Sequence, residues 1–392
     1  MKEVGFIFFI ILLLSSFGQV TSDLYLPSLS AISESFNSNV NLVQLTVSFY
    51  MYGFALSQLV FGLLSDGLGR KFILVIGLLI CVVSSFYCAY SESIFVLIIS
   101  RLFQGFGAGA GTSISRAILR DVISGTNFAK LTSYLAIVNV SVITTAPLIG
   151  GYIQSYWGWR ANFYFLLIYS FILLLLIVLL LPETNKFKSL DKLKLSRIKN
   201  NVYELIKNPI FMGYNLCLSL MFGGIMAWLT VSPILLVKVL GISPIEFGWG
   251  CVFSGISYGV ANLINSQVVT RIGLNRMINI GLNISLISGL SLLMFYIIGY
   301  INLIVIILPS FLFIFGSGFV MANTIAGALE SFPKIAGLAG SMNGFMQIAG
   351  GAITSTVLSY TIDINQLPLA LVLVSLASIA ITVFYFLIKK GK

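Results

Sequence analysis

The chain has 392 residues, of which 58% are hydrophobic and only 9% are charged. Since a soluble domain carries roughly a quarter charged residues, this composition excludes a soluble enzyme, a nucleic-acid-binding domain and a disordered chain, and predicts a surface that mostly faces lipid. The chain has no histidine, which is the commonest metal ligand and the usual general base near neutral pH. We therefore expect no metal site, no cofactor and no catalytic residues.

Twelve continuous apolar stretches run along the chain, and most are long enough to span the hydrocarbon core as helices. The first stretch is too long for the apolar region of a cleaved signal peptide and lacks a small-residue cleavage site, so we expect it to be retained. The stretches cover residues 4–33, 42–64, 72–90, 94–115, 131–153, 161–181, 210–237, 247–269, 276–298, 302–328, 336–360 and 367–388.

The longest polar segment, 183–208, follows the sixth stretch and predicts a partly helical cytoplasmic linker. The sequence therefore predicts an all-α membrane protein of twelve transmembrane helices, with an N-terminal six-helix half (1–182), the linker (183–208) and a C-terminal six-helix half (209–392). Glycines that recur between the halves favour a duplicated unit, as in many secondary transporters. The recurring pairs are Gly69 with Gly273, Gly105 with Gly316, Gly107 with Gly318, and Gly150-Gly151 with Gly350-Gly351.

The basic residues indicate how the chain is oriented in the membrane. If the N-terminus lies inside, most of the 22 lysines and arginines fall in inner loops or at the termini, as the positive-inside rule requires. We therefore predict that both termini are cytoplasmic. The formal net charge of +10 is then a topology signal and does not indicate nucleic-acid binding.

Helix 1 carries a single charged residue between Val4 and Ser33, which is Asp23. Ser15, Gln19 and Asp23 follow one another at intervals of four, which places them on one helical face. If the helix ends outside near residues 30–34, Asp23 lies ~10–16 Å deep. In the alternative, helix 1 ends near residue 22 and Asp23 is a loop or capping residue; the apolar residues at 24–27 favour the first interpretation.

The loop between helices 2 and 3 is predicted to be a tight basic turn at the inner face. Glycine adopts positive φ without a steric penalty, so the two central glycines are suited to the turn. The aspartate at the end of helix 2 has two cations nearby with which to pair, although an ordinary basic inner loop would share these features. The residues of this segment are Gly62, Asp66, Gly67, Gly69, Arg70 and Lys71.

Helix 4 contains an arginine, Arg101, about eight residues or ~12 Å from its outer end. An arginine at this depth is costly unless it faces a cavity or a counter-charge, and Asp23 at a similar depth is the expected partner. In the alternative, Arg101 extends its side chain to the outer headgroups. Gln104 follows one turn later. Four glycines then form two overlapping GxxxG pairs that predict close helix packing: Gly105, Gly107, Gly109 and Gly111.

Helix 5 contains Pro147 followed by Gly150 and Gly151. Proline interrupts the helical hydrogen-bond ladder, and glycines permit a bend or a close contact. A kinked helix with a purely structural role would account for the same residues.

Four segments resemble motifs of known membrane transporters. The loop at 62–71 resembles the G-x-x-x-D-x-x-G-R-[RK] signature of the major facilitator superfamily, and 101–105 resembles that family's R-x-x-Q-G motif. Residues 146–151 resemble the exporter motif G-x-x-x-G-P-x-x-G-G, without its two upstream glycines. Residues 23–27 resemble the D-x-Y-L-P segment of the Bcr/CflA subfamily of drug/proton antiporters.

The resemblance implies the major facilitator fold and a role for each motif. The loop would latch the two halves on the inner side and govern their interconversion. The helix-4 motif would act in proton coupling, and Asp23 would hold the proton or a cationic substrate group. The second-half copy of the loop is degenerate, because Thr270 replaces the aspartate. The candidate proton-coupling and substrate residues are Gln19, Asp23, Tyr25, Arg101 and Gln104.

The sequence contains no ATP-binding P-loop pattern, so a gradient would drive transport. The resemblance implies a proton-coupled multidrug antiporter that exports bicyclomycin-, sulfonamide- or chloramphenicol-like compounds across the bacterial inner membrane by alternating access. Its expected partners are a small drug, protons and the lipid bilayer, and a monomer is expected. The alternatives are a symporter or exporter of a metabolite such as an amino acid or small peptide, and a sensor that does not transport.

Overall fold

The computed structural model describes residues 2–122, 126–185, 195–330, 332, 335–361 and 365–389. In this part of the chain the regular structure is helical. The α-helices are α1 (Lys2–Asp23), α2 (Leu29–Ser35), α3 (Val40–Leu68), α4 (Arg70–Ala89), α5 (Ile94–Val122), α6 (Thr126–Trp157), α7 (Trp159–Leu180), α8 (Leu195–Lys207), α9 (Pro209–Ser232), α10 (Pro244–Ile272), α11 (Leu274–Ile297), α12 (Leu303–Glu330), α13 (Ala336–Ser359) and α14 (Leu367–Val383).

Eleven of the twelve predicted stretches correspond to described helices that are long and apolar enough to cross a membrane. The remaining stretch, 336–360, is α13, which is helical as predicted but contains many glycines, serines and amides. Because α13 packs between α3 and α9, most of its side chains face protein and not lipid. The first span consists of α1 and α2; α3 to α7 are spans two to six, and α9 to α14 are spans seven to twelve.

The first span is broken, whereas the sequence predicted one helix over 4–33. The helix α1 ends at Asp23, and a 3₁₀ turn over Leu26–Ser28 leads into α2. The physical reason is Pro27, which has no N–H to donate to the carbonyl of Asp23 one turn earlier. The segment remains inside the span, because Ile7–Ser35 as a whole is apolar enough to cross a membrane. Asp23 is therefore at a helix end, as the alternative held, yet it is buried.

The packing of the first six spans is repeated in the last six. In the first set, α5 packs against α1, α3 and α4, and α4 packs against α7; in the second, α12 packs against α9, α10 and α11, and α11 packs against α14. The two sets meet where α3 contacts α13 and where α6 contacts α10. This repetition is the pseudo-symmetry of two six-helix halves that the recurring glycines predicted.

One glycine pair occurs at the same place in each half. A Cβ at Gly107 on α5 would lie 2.5 Å from the carbonyl oxygen of Gly77 on α4, and a Cβ at Gly316 on α12 would lie 2.6 Å from that of Gly281 on α11. Both helix pairs therefore approach so closely that only glycine fits. The counterpart of Gly316 is thus Gly107, and not Gly105 as the sequence comparison predicted.

Candidate substrate and proton site

A cavity of about 160 Å³ lies between the two halves. Its wall is formed by α1, α3 and α6 from the first half and by α9, α10, α12 and α13 from the second. Most of the lining is apolar, with methionines that adapt to ligands of different shape. Among the described residues of the wall, Asp23 is the only one with a charged side chain. The apolar side chains include Met51, Phe54, Phe222, Met226, Leu229 and Ile314.

Asp23 lies at the break in the first span and belongs to the cavity wall. Its residue surface is 5% exposed, so the carboxylate has little contact with solvent. An ionised carboxylate in such surroundings is costly unless it is paired, and protonation removes the charge. The position is therefore suited to binding and releasing one proton.

Arg101 lies behind this wall and is fully buried, so the alternative in which it reaches the outer headgroups is wrong. Its Nη1 donates to the carbonyl oxygen of Thr21 at 2.9 Å and to Oε1 of Gln104 at 2.5 Å. Its guanidinium carbon lies 4.1 Å from the ring centroid of Tyr25 and 4.2 Å from that of Tyr50. Cation–π contact and charge-assisted hydrogen bonds therefore stabilise the buried charge.

The expected ion pair between Arg101 and Asp23 does not form. The two ion pairs between described residues both involve Arg70, and the Nε and Nη2 of Arg101 have no hydrogen-bond partner among the described residues. The reason is geometric: Asp23 faces the cavity, whereas Arg101 binds the backbone of α1 two residues earlier, at Thr21. Arg101 therefore contacts the segment that carries Asp23 and forms no ion pair with its carboxylate.

The remaining candidate residues divide between the cavity and the arginine cluster. Gln19 lines the cavity together with Asp23. Tyr25 is fully buried away from the cavity, with its hydroxyl 3.0 Å from that of Thr46. Gln104 orients Arg101 and donates to Ser85 Oγ at 2.7 Å. The structure thus brings Gln19 and Asp23 to one surface, and places Tyr25 and Gln104 around Arg101.

The glycines of α6 hold the broken segment and the second half in place. A Cβ at Gly150 would collide with the carbonyl oxygen of Leu24, and one at Gly151 would lie 2.5 Å from the carbonyl oxygen of Pro244, at the start of α10. Pro147 lies one turn earlier in the same helix. This motif therefore forms the contact between the first span, α6 and α10.

Arg70 is the centre of the loop between α3 and α4. Its Nη2 lies 2.6 Å from Asp66 Oδ1, its Nε donates to Asp121 Oδ2 at 3.0 Å, and its Nη1 donates to Ser65 Oγ at 2.7 Å. The predicted pairing of Asp66 with Arg70 is therefore confirmed. The sequence reasoning missed Asp121, because nothing in the spacing shows that the end of α5 reaches this loop.

Two expectations for this loop are wrong. Lys71 does not pair with Asp66; its Nζ donates to the carbonyl oxygen of Val178, near the end of α7, at 2.9 Å. Gly67 lies within α3 and has no positive φ, whereas Gly69 ends the helix with a φ of 112°. Gly273 ends α10 in the same way, with a φ of 85°.

The start of the linker also binds this loop. Glu183 Oε1 accepts a hydrogen bond from the backbone N–H of Arg70 at 3.0 Å, which caps the N-terminus of α4. The Nδ2 of Asn185 donates to the carbonyl oxygen of Asp66 at 3.1 Å, at the end of α3. The linker start thus satisfies backbone groups on both sides of the turn. The part of the linker at 186–194 lies outside the described residues, and α8 confirms that the linker is partly helical.

The two halves also touch beside this loop. A Cβ at Gly62 would lie 2.9 Å from Ser341 Oγ on α13. Farther along the same helix pair, the hydroxyl of Thr356 donates to that of Tyr52 at 3.1 Å. Gly62 therefore lies against the second half, near the end of α3 that leads into this loop.

A family model described as Major Facilitator Superfamily matches residues 8–357. The chain is 30% identical over 392 residues to a bicyclomycin resistance protein homolog of Haemophilus influenzae, with 100% of this chain and 98% of the relative covered. It is 27% identical over 362 residues to multidrug resistance protein D of Escherichia coli, with 88% and 86% covered.

Among solved structures, the chain resembles a D-xylose-proton symporter with a TM-score of 0.78 at 17% identity, over 100% of this chain and 99% of the other. At this identity the likeness concerns the fold alone. It agrees with the two six-helix halves described above. The chain therefore belongs to the major facilitator superfamily of membrane transporters, and within it to the Bcr/CflA branch that the motifs of its first half predicted.

Proposed function

We propose that the chain is a proton-coupled exporter that moves small drugs out of the bacterial cytoplasm by alternating access, with Asp23 as the group that carries the proton. The observation that carries this proposal is the position of Asp23, which has the single charged side chain among the described residues that line the mostly apolar cavity between the two halves. Such a group changes the charge of the cavity by one unit when it takes up or releases a proton.

The relatives supply the substrate class. They are named for resistance to bicyclomycin and to multiple drugs, and a further relative, 27% identical over 278 residues, is the chloramphenicol resistance protein CraA of Acinetobacter baumannii. An apolar wall rich in methionine and phenylalanine supports a permissive site for such compounds. The chloramphenicol-, bicyclomycin- and sulfonamide-like drugs are therefore our candidate substrates.

In the proposed transport cycle, the charge of the cavity changes with the protonation of Asp23. A protonated Asp23 leaves the cavity neutral. A drug that donates a hydrogen bond to the carboxylate favours its ionised form, so the release of the proton becomes part of drug binding or of the change between states. Arg101, which is bound to Thr21 beside Asp23, supplies a positive charge that stabilises the deprotonated form. Drug and proton then travel in opposite directions, as antiport requires.

The loop at 62–71 acts as the latch on the inner side. Arg70 ties the end of α3 to α5 through Asp66 and Asp121, and Gly62 lies against α13 of the second half. Separation of the halves at this end therefore has to move α3 and its loop together, which supports a role in gating. Substrate contacts lie elsewhere, in the central cavity.

The organisation in the membrane is proposed on the sequence alone. The positive-inside rule favours cytoplasmic N- and C-termini, and the bacterial relatives favour the inner membrane. We divide the chain into halves 1–182 and 209–392 joined by the linker 183–208, and we expect a monomer.

Transport in everted membrane vesicles tests the proposal. Wild-type vesicles should accumulate radiolabelled chloramphenicol when an inwardly acidic pH gradient is imposed, and Asp23→Asn should abolish this accumulation at an unchanged level of membrane-inserted protein. Glu34→Gln, at an exposed position on α2, is the matched control for removal of a negative charge and should behave as wild type.

Each outcome of this experiment decides a different part of the proposal. Full gradient-dependent accumulation by Asp23→Asn would exclude Asp23 as the proton carrier. Failure of wild-type vesicles to move chloramphenicol or any drug of a susceptibility panel would exclude drug export. Uptake of an amino acid or a dipeptide by the same vesicles would then support the metabolite transporter.

A further inference from the structure

Two buried polar atoms in the wall of the central cavity have no hydrogen-bond partner among the described residues. They are Oε1 of Gln19, on α1, and Nε1 of Trp228, on α9. An amide oxygen only accepts hydrogen bonds, and an indole N–H only donates one. The two atoms are therefore complementary, and they come from opposite halves of the molecule.

Trp228 is held in a fixed position. Its residue surface is 1% exposed, and its ring packs edge-to-face against Phe311 with the centroids 6.1 Å apart. A buried indole N–H normally finds an acceptor, because an unpaired one loses its hydration without compensation. The indole N–H of Trp228, on a residue that lines the cavity, is therefore free to donate to an acceptor.

Gln19 supplies the acceptor that complements the N–H donor of Trp228. It precedes Asp23 by one helical turn on the same face of α1, and both residues line the cavity. The amide oxygen is already shielded from solvent and lacks a hydrogen bond from the described residues, so an N–H or O–H group of a ligand that reaches it adds a hydrogen bond. A ligand without an N–H or O–H group leaves that oxygen unpaired.

We propose that the cavity selects small, uncharged, mostly apolar molecules that carry an acceptor for Trp228 and a donor for Gln19, the pair of groups that amide compounds present. This inference rests on the proposed function, since it names the substrate class of the same cavity. It assigns recognition to Gln19 and Trp228 and leaves Asp23 to the proton. Because the two recognition groups belong to different halves, a molecule that binds both also ties α1 to α9.

Equilibrium binding to the purified full chain in detergent tests this assignment with two probes. Radiolabelled chloramphenicol is uncharged and carries amide and hydroxyl groups, whereas tetraphenylphosphonium is an apolar cation without donors or acceptors. Trp228→Phe keeps an aromatic ring against Phe311 and removes only the N–H. We expect about a 2- to 10-fold weaker affinity for chloramphenicol, as for the loss of one hydrogen bond, and an unchanged affinity for tetraphenylphosphonium.

A second variant and a matched control complete the experiment. Gln19→Met keeps the length of the side chain and removes the acceptor, so it should weaken chloramphenicol binding over the same range. Trp249→Phe, at an exposed position on α10, should change neither affinity.

The selectivity between the two probes decides the result. Unchanged chloramphenicol affinity in folded Trp228→Phe and Gln19→Met would overturn the inference, as would an equal loss for both probes, which would show that the side chains act only through shape. A wild-type protein that binds neither probe would instead contradict drug export itself, and the inference would fall with it.

Discussion

Arg101 has a buried positive charge that its neighbours have to stabilise. It is fully buried and has no ion-pair partner among the described residues. The rings of Tyr25 and Tyr50 and the oxygens of Thr21 and Gln104 stabilise its charge instead. A lysine has a compact charge, without a planar group to stack on rings or a fork of donors to reach two oxygens. The cluster is therefore suited to arginine in particular.

Replacement of Arg101 should change how Asp23 exchanges its proton. A nearby positive charge favours an ionised carboxylate, so in Arg101→Ala the substrate-induced release of protons should move to higher pH, and Arg101→Lys should fall between that variant and wild type. The measurement is the pH dependence of proton release on addition of drug in detergent.

Arg160→Ala is the control for this comparison, since Arg160 also binds a backbone carbonyl, that of Ser91, but does not line the cavity. A release curve of Arg101→Ala that overlays the wild-type curve, in a folded protein, would show that Arg101 and Asp23 do not communicate.

The sequence predicts single residues well where a charge interrupts an apolar run. Asp23 and Arg101 stand out for that reason, and both are buried as expected. Trp228 does not stand out, because an aromatic residue in a membrane helix is usual, and its unpaired N–H depends on which groups the neighbouring helices place around it. Asp121 was missed for the same reason, since its partner Arg70 lies on another helix.

At the scale of elements, the break after α1 depends on a neighbouring helix as well as on Pro27. The carbonyl of Leu24 lies so close to Gly150 on α6 that a Cβ there would overlap it. Asn162, on α7, donates to Ser28 Oγ at 2.9 Å beyond the break. The glycine of α6 thus provides the space in which the first span changes direction and exposes Asp23 to the cavity.

Gly150→Ala should therefore destabilise the protein by roughly 1–3 kcal/mol, as overpacking against a backbone group does. We expect a lower unfolding temperature in detergent and reduced proton-coupled transport. Gly250→Ala, where a Cβ on α10 meets no atom within 4 Å, is the matched control and should leave both unchanged. Equal thermal stability of the two variants would contradict the proposed contact between α6 and the first span.

The loop between α3 and α4 should affect the rate of transport and not the binding of the drug. Asp66→Ala removes one of the two carboxylates that hold Arg70, so turnover should fall severalfold while drug affinity in detergent stays nearly constant. Thr270→Ala, at the corresponding place in the second half, has no charge to lose and should transport normally. A large loss of affinity in Asp66→Ala would contradict a role limited to gating.

The sequence predicts the membrane-spanning helices well and predicts the residues at which they end less well. Continuous apolar runs identify the spans because lipid leaves the backbone no other hydrogen-bond partner. The sequence prediction is wrong about the end of α1 at Asp23, because the apolar residues around Pro27 extend the apolar run beyond the end of the helix. The contact of Glu183 and Asn185 with the loop was missed because it joins segments that are distant in the sequence.

We expect transport to depend on relative movement of the two similar halves around the central cavity. The cavity of about 160 Å³ is smaller than the ~300–1,000 Å³ of sites that enclose drug-sized ligands. Binding of a drug therefore requires the halves to separate on one side. The paired contacts of α3 with α13 and of α6 with α10 are the surfaces that such a movement has to open and close.

We expect drug binding and proton release to be coupled at Asp23, and the protons released in detergent measure this coupling. Chloramphenicol is added to the purified protein in a weakly buffered solution with a pH-sensitive dye. The wild-type protein should release protons in proportion to the drug bound. Asp23→Asn has no titratable group at this position and should bind the drug and release none. Proton release by Asp23→Asn equal to that of wild type would contradict the account.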